Sequence, residues 1–365
     1  MSITERGLRP GQKPDRCTAI SGKLLKSMSD KDSYDKLGEN AETGPEKQRP
    51  EKQNWRLSLA YDGTGFSGWQ VQPGLSTVQG ELQAALQRIT GESPLPQGSG
   101  RTDAGVHALA QVASFALAAP IPASNLMRAL NRTLPSSIRI LAATPAPFSF
   151  HARHSARAKT YLYRIFQGAL CPPFLAPYVY PYAFPLALER LNRTAAAFVG
   201  EHDFLSFAAS DPDLSARKKA ATSDCSDDLD EVDLHDRATG AVDPGRSTVR
   251  TVFASAWHRE ELGSARELGT VQEQRLDPLN CTLSAEDHLL VYRVRGSGFL
   301  HHMVRNLVGT MLEAARGQFK PDGMEAILAA GQRKAAGPTA PARGLFLHSV
   351  EYEDDKDGTT ARADS

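Results

Sequence analysis

Two successive rounds of strand and helix patterns constrain the fold of this chain more than any other feature of its sequence. In the first round, residues 55–61 alternate apolar and polar side chains, as a half-buried strand does. Apolar residues at helical spacing then predict a helix over residues 78–91, and Ser76 and Gln79 have the spacing of a capping box. Residues 112–117 predict the next strand.

The second round begins after about residue 158 and repeats the same order of patterns. Residues 159–165 alternate as a strand that places Tyr161, Tyr163 and Ile165 on one face. The later elements are a helix at 188–198, a strand at 289–295, a helix at 303–311 and a strand at 345–352. The repetition indicates an α/β protein (of the α+β type) with two related strand-helix halves.

Several segments lack apolar periodicity and are expected to lie outside the folded halves. Residues 211–246 hold ten acids and five bases, which is typical of a flexible acidic loop. The expected boundaries are 1–53 for a disordered N-terminal extension, 54–158 for the first half, 159–352 for the second half with insertions at about 209–247 and 260–287, and 353–365 for a disordered tail.

Composition excludes some classes of protein but does not indicate a partner. Lysine and arginine number 42, as do aspartate and glutamate, so the net charge is uninformative. No apolar run is long enough to span a bilayer, and the N-terminus lacks an apolar signal core. The four cysteines are scattered without a Cys-x-x-Cys pair, which argues against a disulfide framework and a zinc site. We therefore expect a cytoplasmic protein without a membrane partner.

Local charge is far less even than total charge. Between Gly98 and Leu170 there are eight bases and a single acid, Asp103. Such a basic field keeps a carboxylate ionised and attracts polyanions. Arg128 and Arg132 lie four residues apart on a predicted short helix, so they share one face. That face is either simply solvated or contacts phosphate groups.

Asp103 stands in a run of small residues, Gly-Ser-Gly-Arg-Thr-Asp-Ala-Gly-Val-His from Gly98 to His107. An aspartate in a glycine-rich turn often only accepts backbone hydrogen bonds. However, the eight residues from Gly100 to His107 resemble the signature of the tRNA pseudouridine synthase A family. Five further segments resemble the family's motifs in the same order: 61–70, 150–156, 200–207, 298–309 and 339–345.

The resemblance implies a fold and an activity. It implies the pseudouridine synthase fold, whose two halves share a central, mostly antiparallel sheet with flanking helices. It also implies a homodimer that isomerises uridine to pseudouridine in the anticodon stem and loop of tRNA, at tRNA positions 38–40. The reaction needs no redox step, and the sequence has neither nucleotide-binding nor metal motifs, so no cofactor is expected.

The resemblance also implies roles for individual residues. Asp103 corresponds to the family's nucleophile, and Tyr161 to the tyrosine that packs on the target uridine and contacts that acid. Arg101 is expected to orient Asp103 or to hold the position that the uridine vacates. Arg305 either meets the catalytic acid or a phosphate, or forms a buried structural ion pair.

The remaining candidates concern RNA binding and metals. Arg153 and Arg157, with Arg128 and Arg132, are expected to bind RNA. Histidines at positions 151 and 154 lack a suitable third ligand for a metal, and the adjacent histidines at 301 and 302 suggest hydrogen bonding at a helix start. A non-catalytic tRNA-binding protein or chaperone is the alternative. A hydrolase would want a second acid near Asp103, which this region does not supply.

Overall fold

A computed structural model describes residues 52–209, 247–262, 286–319 and 323–353, all of which fall within the unit Pro50–Ser365. Nearly all of the predicted N-terminal extension, the acidic insertion and the tail lie outside these residues. The same holds for the greater part of the predicted insertion at 260–287. Within the described residues, no helix combines the length and apolar character needed to cross a membrane.

The first half contains the predicted strands and helices, with β3 beginning five residues before its predicted start, and one short strand, β2, that was not predicted. In chain order they are β1 (Gln53–Tyr61), α1 (Val78–Thr90), β2 (Gln97–Gly98), β3 (His107–Leu117), α2 (Ala123–Thr133) and β4 (Ile138–Ala146). Gly91 ends α1 in the left-handed conformation, with φ of 78°.

The predicted capping box of α1 is wrong by one residue. Thr77 is the N-cap, and its side chain accepts a hydrogen bond from the backbone N–H of Gly80. The Gln79 side chain does not complete a capping box because it bonds to other segments. Its oxygen accepts a hydrogen bond from the N–H of Val71, and its amide group donates one to the carbonyl of Pro96. Tertiary contacts therefore outcompete the local capping pattern.

The second half repeats the arrangement with longer connections. Its elements are β5 (Ala156–Gln167), β6 (Tyr180–Pro181), α3 (Leu188–Ala196), β7 (Gly200–Asp203), β8 (Val249–Glu261), β9 (His288–Gly296), α4 (Met303–Ala315), α5 (Met324–Ala330) and β10 (Leu345–Tyr352). Since β5 starts at Ala156, the second half begins three residues before the predicted boundary. Likewise, β8 continues two residues into the predicted second insertion.

One sheet joins the two halves. Its strand order is β4-β1-β3-β10-β5-β9-β8-β7, with β2 beside β3 and β6 beside β5. Each half has a central long strand: β1 is antiparallel to β3 and β4, and β5 is antiparallel to β10 and β9 and parallel to the short β6. The halves meet where β10 runs parallel to β3, pairing Phe346 with His107 and Leu347 with Ala108. This mostly antiparallel sheet with flanking helices confirms the expected fold class.

Apolar burial on the helix-bearing face holds the halves together. Leu57 and Leu59 of β1 are fully buried, as are Met303, Leu307 and Met311 of α4. Burying one such side chain contributes about 1.5–3 kcal/mol. Because α4 is almost wholly enclosed, its first turn has a fixed position beside the loop that precedes β3. This loop carries Asp103.

Candidate active site

The loop that carries Asp103 is clamped on both sides by the turn that follows β1. The carbonyl of Thr102 accepts a hydrogen bond from the N–H of Trp69 at 3.0 Å, and its hydroxyl lies 2.8 Å from that of Tyr61. Gly68 has φ of 96°, and a Cβ there would lie 2.7 Å from the Thr102 carbonyl oxygen. Only glycine allows this close approach, so the turn fixes the loop.

Three side chains from the start of α4 converge on the Asp103 carboxylate. Arg305 Nη1 lies 2.8 Å from Oδ2, His302 Nε2 lies 3.3 Å from Oδ2, and His301 Nε2 lies 3.3 Å from Oδ1. The Asp103 side chain is 17% exposed. It is therefore mostly enclosed, yet it keeps an open side toward solvent.

These contacts keep Asp103 ionised. Burial alone would raise the pKa of Asp103, but the hydrogen bond with His301 and the interactions with His302 and Arg305 together outweigh it. The pKa of Asp103 is thus lowered from its ordinary value, and the group is a carboxylate at neutral pH. An ionised, partly accessible carboxylate is a competent nucleophile.

The backbone at the start of α4 adopts an unusual conformation to make these contacts. His302 has φ of 60°, which makes it the sole non-glycine residue with positive φ in the described ranges. A left-handed non-glycine residue costs on the order of 1–3 kcal/mol. The prediction that the adjacent histidines hydrogen-bond at the helix start is wrong for His302, whose side chain makes no cap hydrogen bond. Both side chains face Asp103 instead.

Arg305 is held from the far side by the segment before β10. Its Nε donates to the carbonyl of Ala340 at 2.8 Å, and the N–H of Ala340 donates to the Arg305 carbonyl at 3.1 Å. Next to it, Asn306 Oδ1 accepts from Arg333 at 3.0 Å and from the Thr339 hydroxyl at 2.6 Å. The last sequence motif therefore positions the arginine that pairs with Asp103.

Tyr161 lies on β5 beside this group and is almost fully buried. Its ring packs edge-on against Phe299, with ring centroids 5.1 Å apart. Burial raises the pKa of the Tyr161 hydroxyl, and the charge of Asp103 adds to the effect. Tyr161 makes no hydrogen bond with Asp103 among the described residues.

The other predicted site residues are more exposed. Arg101 is exposed on the Asp103 loop, and Arg128 and Arg132 are exposed on α2. Arg153 is exposed just before β5. Arg157 is also exposed but pairs with Glu353 at 2.6 Å, which offsets its charge.

Asp103, His301 and His302 are also the one group in the described ranges whose donor atoms could together hold a metal ion, lying within 4.8 Å of one another. The Arg305 guanidinium lies 2.8 Å from the same carboxylate and would repel a cation there. The arrangement therefore suits a carboxylate balanced by protein cations better than a metal centre.

Sequence reasoning missed the contact of both histidines with Asp103, and it assigned no role to Phe299. The available signal was their position inside the second long motif, Gly298–Gly309. Periodicity could not reveal their direction, because His302 leaves the helical conformation.

Comparisons with known proteins agree with this geometry. The profile of a family described as tRNA pseudouridine synthase matches residues 58–155 and 234–353. A tRNA pseudouridine synthase A of Solibacter usitatus is 45% identical over 297 residues, covering 81% of this chain and 98% of the relative. Proteins of the same name from Moorella thermoacetica and Lacticaseibacillus casei are each 37% identical, covering 81% and 82% of this chain and 98% and 99% of the relatives.

The profile covers more than half of the chain, and its first matched segment contains the Asp103 loop. The second contains the whole start of α4 and the Ala340 segment that holds Arg305. The chain therefore belongs to the tRNA pseudouridine synthase family, whose members are isomerases.

Proposed function

We propose that this enzyme isomerises uridine to pseudouridine in the anticodon stem and loop of tRNA, with Asp103 as the nucleophile. The observation that carries the proposal is the state of the Asp103 carboxylate. Its contacts with Arg305 and the two histidines favour the ionised form, and its side chain is still 17% exposed. The relatives named tRNA pseudouridine synthase A support the choice of tRNA.

The reaction explains why one carboxylate suffices. The bond between the ribose C1′ and N1 of the base breaks, the base rotates, and a bond forms between C1′ and C5. A proton leaves C5 and N1 gains one, so the product is an isomer. Asp103 would form the covalent intermediate that holds the nucleotide between these steps, through either the ribose or the base ring.

Tyr161 and Arg101 are proposed to handle the extruded nucleotide. A base must leave its stack before its glycosidic bond can be reached, at a cost of roughly a few kcal/mol. The buried ring of Tyr161, kept protonated by its raised pKa, offers a flat surface for uracil. Arg101, exposed on the same loop as Asp103, would hold the vacated position.

The exposed arginines at 128, 132 and 153 are proposed to bind the RNA backbone by charge. Arg157 would contribute less, because Glu353 already neutralises it. We further propose, from the family resemblance, a homodimer that acts in the cytoplasm. Sedimentation of the purified protein would test the dimer, since a single monomer mass would contradict it.

Pseudouridine mapping tests the proposal. Unmodified tRNA is incubated with the wild-type protein or with Asp103→Asn, which keeps the side-chain shape but removes the charge. We expect pseudouridine in the anticodon arm with the wild type and none with the variant, while both bind tRNA. Asp203→Asn is the control, because Asp203 only accepts from the N–H of Leu205 through an oxygen that asparagine retains.

The alternative of a non-catalytic tRNA-binding protein gives a different result. It predicts tRNA binding with no pseudouridine from the wild type. Pseudouridine formed equally by Asp103→Asn would instead refute the assignment of the nucleophile.

A further inference from the structure

Three basic residues near the active-site loop are electrostatic neighbours. Lys159 lies in the first third of β5, Arg250 lies at the start of β8, and Arg153 lies in the segment before β5. Their charges repel one another: Arg153 and Arg250 both lower the pKa of Lys159, and Arg153 lowers that of Arg250. We call these three residues the basic cluster.

Lys159 borders the loop that carries Asp103. Its Nζ donates to the carbonyl of Ser99 at 2.5 Å. A Cβ placed on Gly100 would lie 3.5 Å from this Nζ and 3.8 Å from the Tyr161 hydroxyl. The ammonium group and the tyrosine hydroxyl therefore both lie next to Gly100, three residues before the nucleophile.

Two glycines, Gly296 and Gly298, lie next to members of the cluster. Lys159 pairs across the sheet with Gly296, which in turn pairs with Val252 of β8. A Cβ on Gly298 would lie 3.7 Å from Arg250 Nε. Gly296 is buried, and a Cβ on it would lie 2.9 Å from the Thr251 carbonyl oxygen and 3.2 Å from Phe299 Cζ. Gly298, in contrast, has no side chain that could cover Arg250 Nε.

The cluster lacks a compensating acid. Within the described ranges none of its members pairs with a carboxylate, whereas Arg157, Arg295 and Arg305 each do. Lys159 is largely buried, and burial with the two arginines lowers its pKa to about 8. Three like charges held together without an acid favour an anion that bridges them.

We propose that Lys159, Arg250 and Arg153 bind a backbone phosphate of the RNA immediately next to the target uridine. The proposal rests on the proposed function, which it deepens by assigning the contact that anchors the extruded nucleotide. A phosphodiester fits because Lys159 lies next to both the Asp103 loop and Tyr161, where the uridine would lie. Lys159 is thus a binding residue beside the catalytic group.

Substrates with a single neutral linkage test the contact. Full-length tRNAs are prepared with one methylphosphonate, placed either 5′ or 3′ of the target uridine. Values of kcat/KM and tRNA Kd are measured for the wild type, Lys159→Met and Lys159→Arg. Arg88→Met serves as the control, because Arg88 lies in the last turn of α1. Just beyond it, Glu92 accepts a hydrogen bond from the N–H of Ala118, which follows the far end of β3.

With natural tRNA, Lys159→Met should lower kcat/KM by about tenfold, as expected when one charge-assisted hydrogen bond is removed. One methylphosphonate should lower the wild-type value by a similar factor and cause no further decrease in Lys159→Met. Lys159→Arg should keep the sensitivity of the wild type, which also shows that the decrease in the methionine variant is not misfolding. Arg88→Met should behave as the wild type.

The inference is overturned if the methylphosphonate and the substitution of Lys159 lower kcat/KM independently of each other. If each methylphosphonate lowers kcat/KM by the same factor in the wild type and in Lys159→Met, Lys159 contacts neither phosphate. A Lys159→Met variant with the same kcat/KM as the wild type would also show that Lys159 contacts neither phosphate. If the wild type makes no pseudouridine at all, the proposed function fails, and the same comparison of Kd values still decides whether Lys159 contacts a flanking phosphate.

Discussion

At the scale of single residues, the site depends on how the charge of Asp103 is balanced. Burial lowers the pKa of His302 despite its proximity to Asp103, so this imidazole is largely neutral at pH 7. Arg305 then supplies the permanent positive charge in contact with the carboxylate. The pair is mostly enclosed, so solvent screens it weakly.

Replacing Arg305 with methionine should therefore raise the pKa of Asp103. A group with a depressed pKa is ionised above that pKa and loses its charge as the pH falls through it. As the pH is lowered, Arg305→Met should lose activity at a higher pH than the wild type does. At neutral pH its kcat/KM should be lower than that of the wild type by about 100-fold or more. A pH profile of pseudouridine formation measures both effects.

Arg316→Met is the matched control for this variant. Arg316, an exposed residue that follows α4, pairs with the half-buried Glu313 at 3.3 Å. Such a surface pair contributes about 0–1 kcal/mol to stability. Its removal should leave the pH profile unchanged. If Arg305→Met loses activity at the same acidic pH as the wild type, Arg305 does not set the ionisation of Asp103.

At the scale of elements, α4 and the segment before β10 act as one unit. Gly309 of α4 packs so closely on the carbonyl of Pro338 that any Cβ would overlap it. Two residues later, Ala340 holds the Arg305 side chain. The close packing of these two backbone segments therefore determines where the Arg305 guanidinium lies beside Asp103.

Gly309→Ala should separate the two segments. We expect a decrease of about 1–3 kcal/mol in the free energy of unfolding, as overpacking usually costs, together with reduced kcat. Chemical denaturation and pseudouridine assays measure the two effects. Gly65→Ala is the control, since a Cβ at Gly65 meets nothing within 4 Å. Full stability and activity in Gly309→Ala would contradict this coupling.

Local signals explain which elements the sequence could predict. The strand at 345–352 has the predicted bounds, and α1 ends at the predicted Gly91, because alternation and a left-handed glycine are local features. The helix α5 (Met324–Ala330) was not predicted, since its seven residues give too little periodicity. Asp103 was recognised from its motif.

The partners of Asp103 could not be derived in the same way. Arg305 and the histidines lie about two hundred residues further along the chain and reach Asp103 because β10 inserts between β3 and β5. No periodicity encodes that pairing. Sequence reasoning left Arg305 with three alternatives, and the structure places its guanidinium 2.8 Å from the Asp103 carboxylate.

At the scale of the whole molecule, balanced total charge conceals an uneven distribution. The chain has 42 bases and 42 acids, yet eight bases accompany only Asp103 between Gly98 and Leu170. If this region binds tRNA, affinity should fall steeply with salt. Replacing Arg128 or Arg132 with glutamine should lower the slope of log K against log salt by about 0.7–0.9 for each phosphate that the variant no longer neutralises.

Titrations of labelled tRNA at several salt concentrations measure that slope. Arg88→Gln, at the far end of α1, should leave it unchanged. Equal slopes for all variants would exclude α2 from the RNA-binding surface.

Release of tritium from C5 tests the central claim most directly. A tRNA with [5-³H]uridine in its anticodon arm is mixed with excess enzyme in a single turnover. The wild type should release the label as pseudouridine forms, and Asp103→Asn, although it binds the tRNA, should release none. Release by Asp103→Asn at the rate of the wild type would contradict the account.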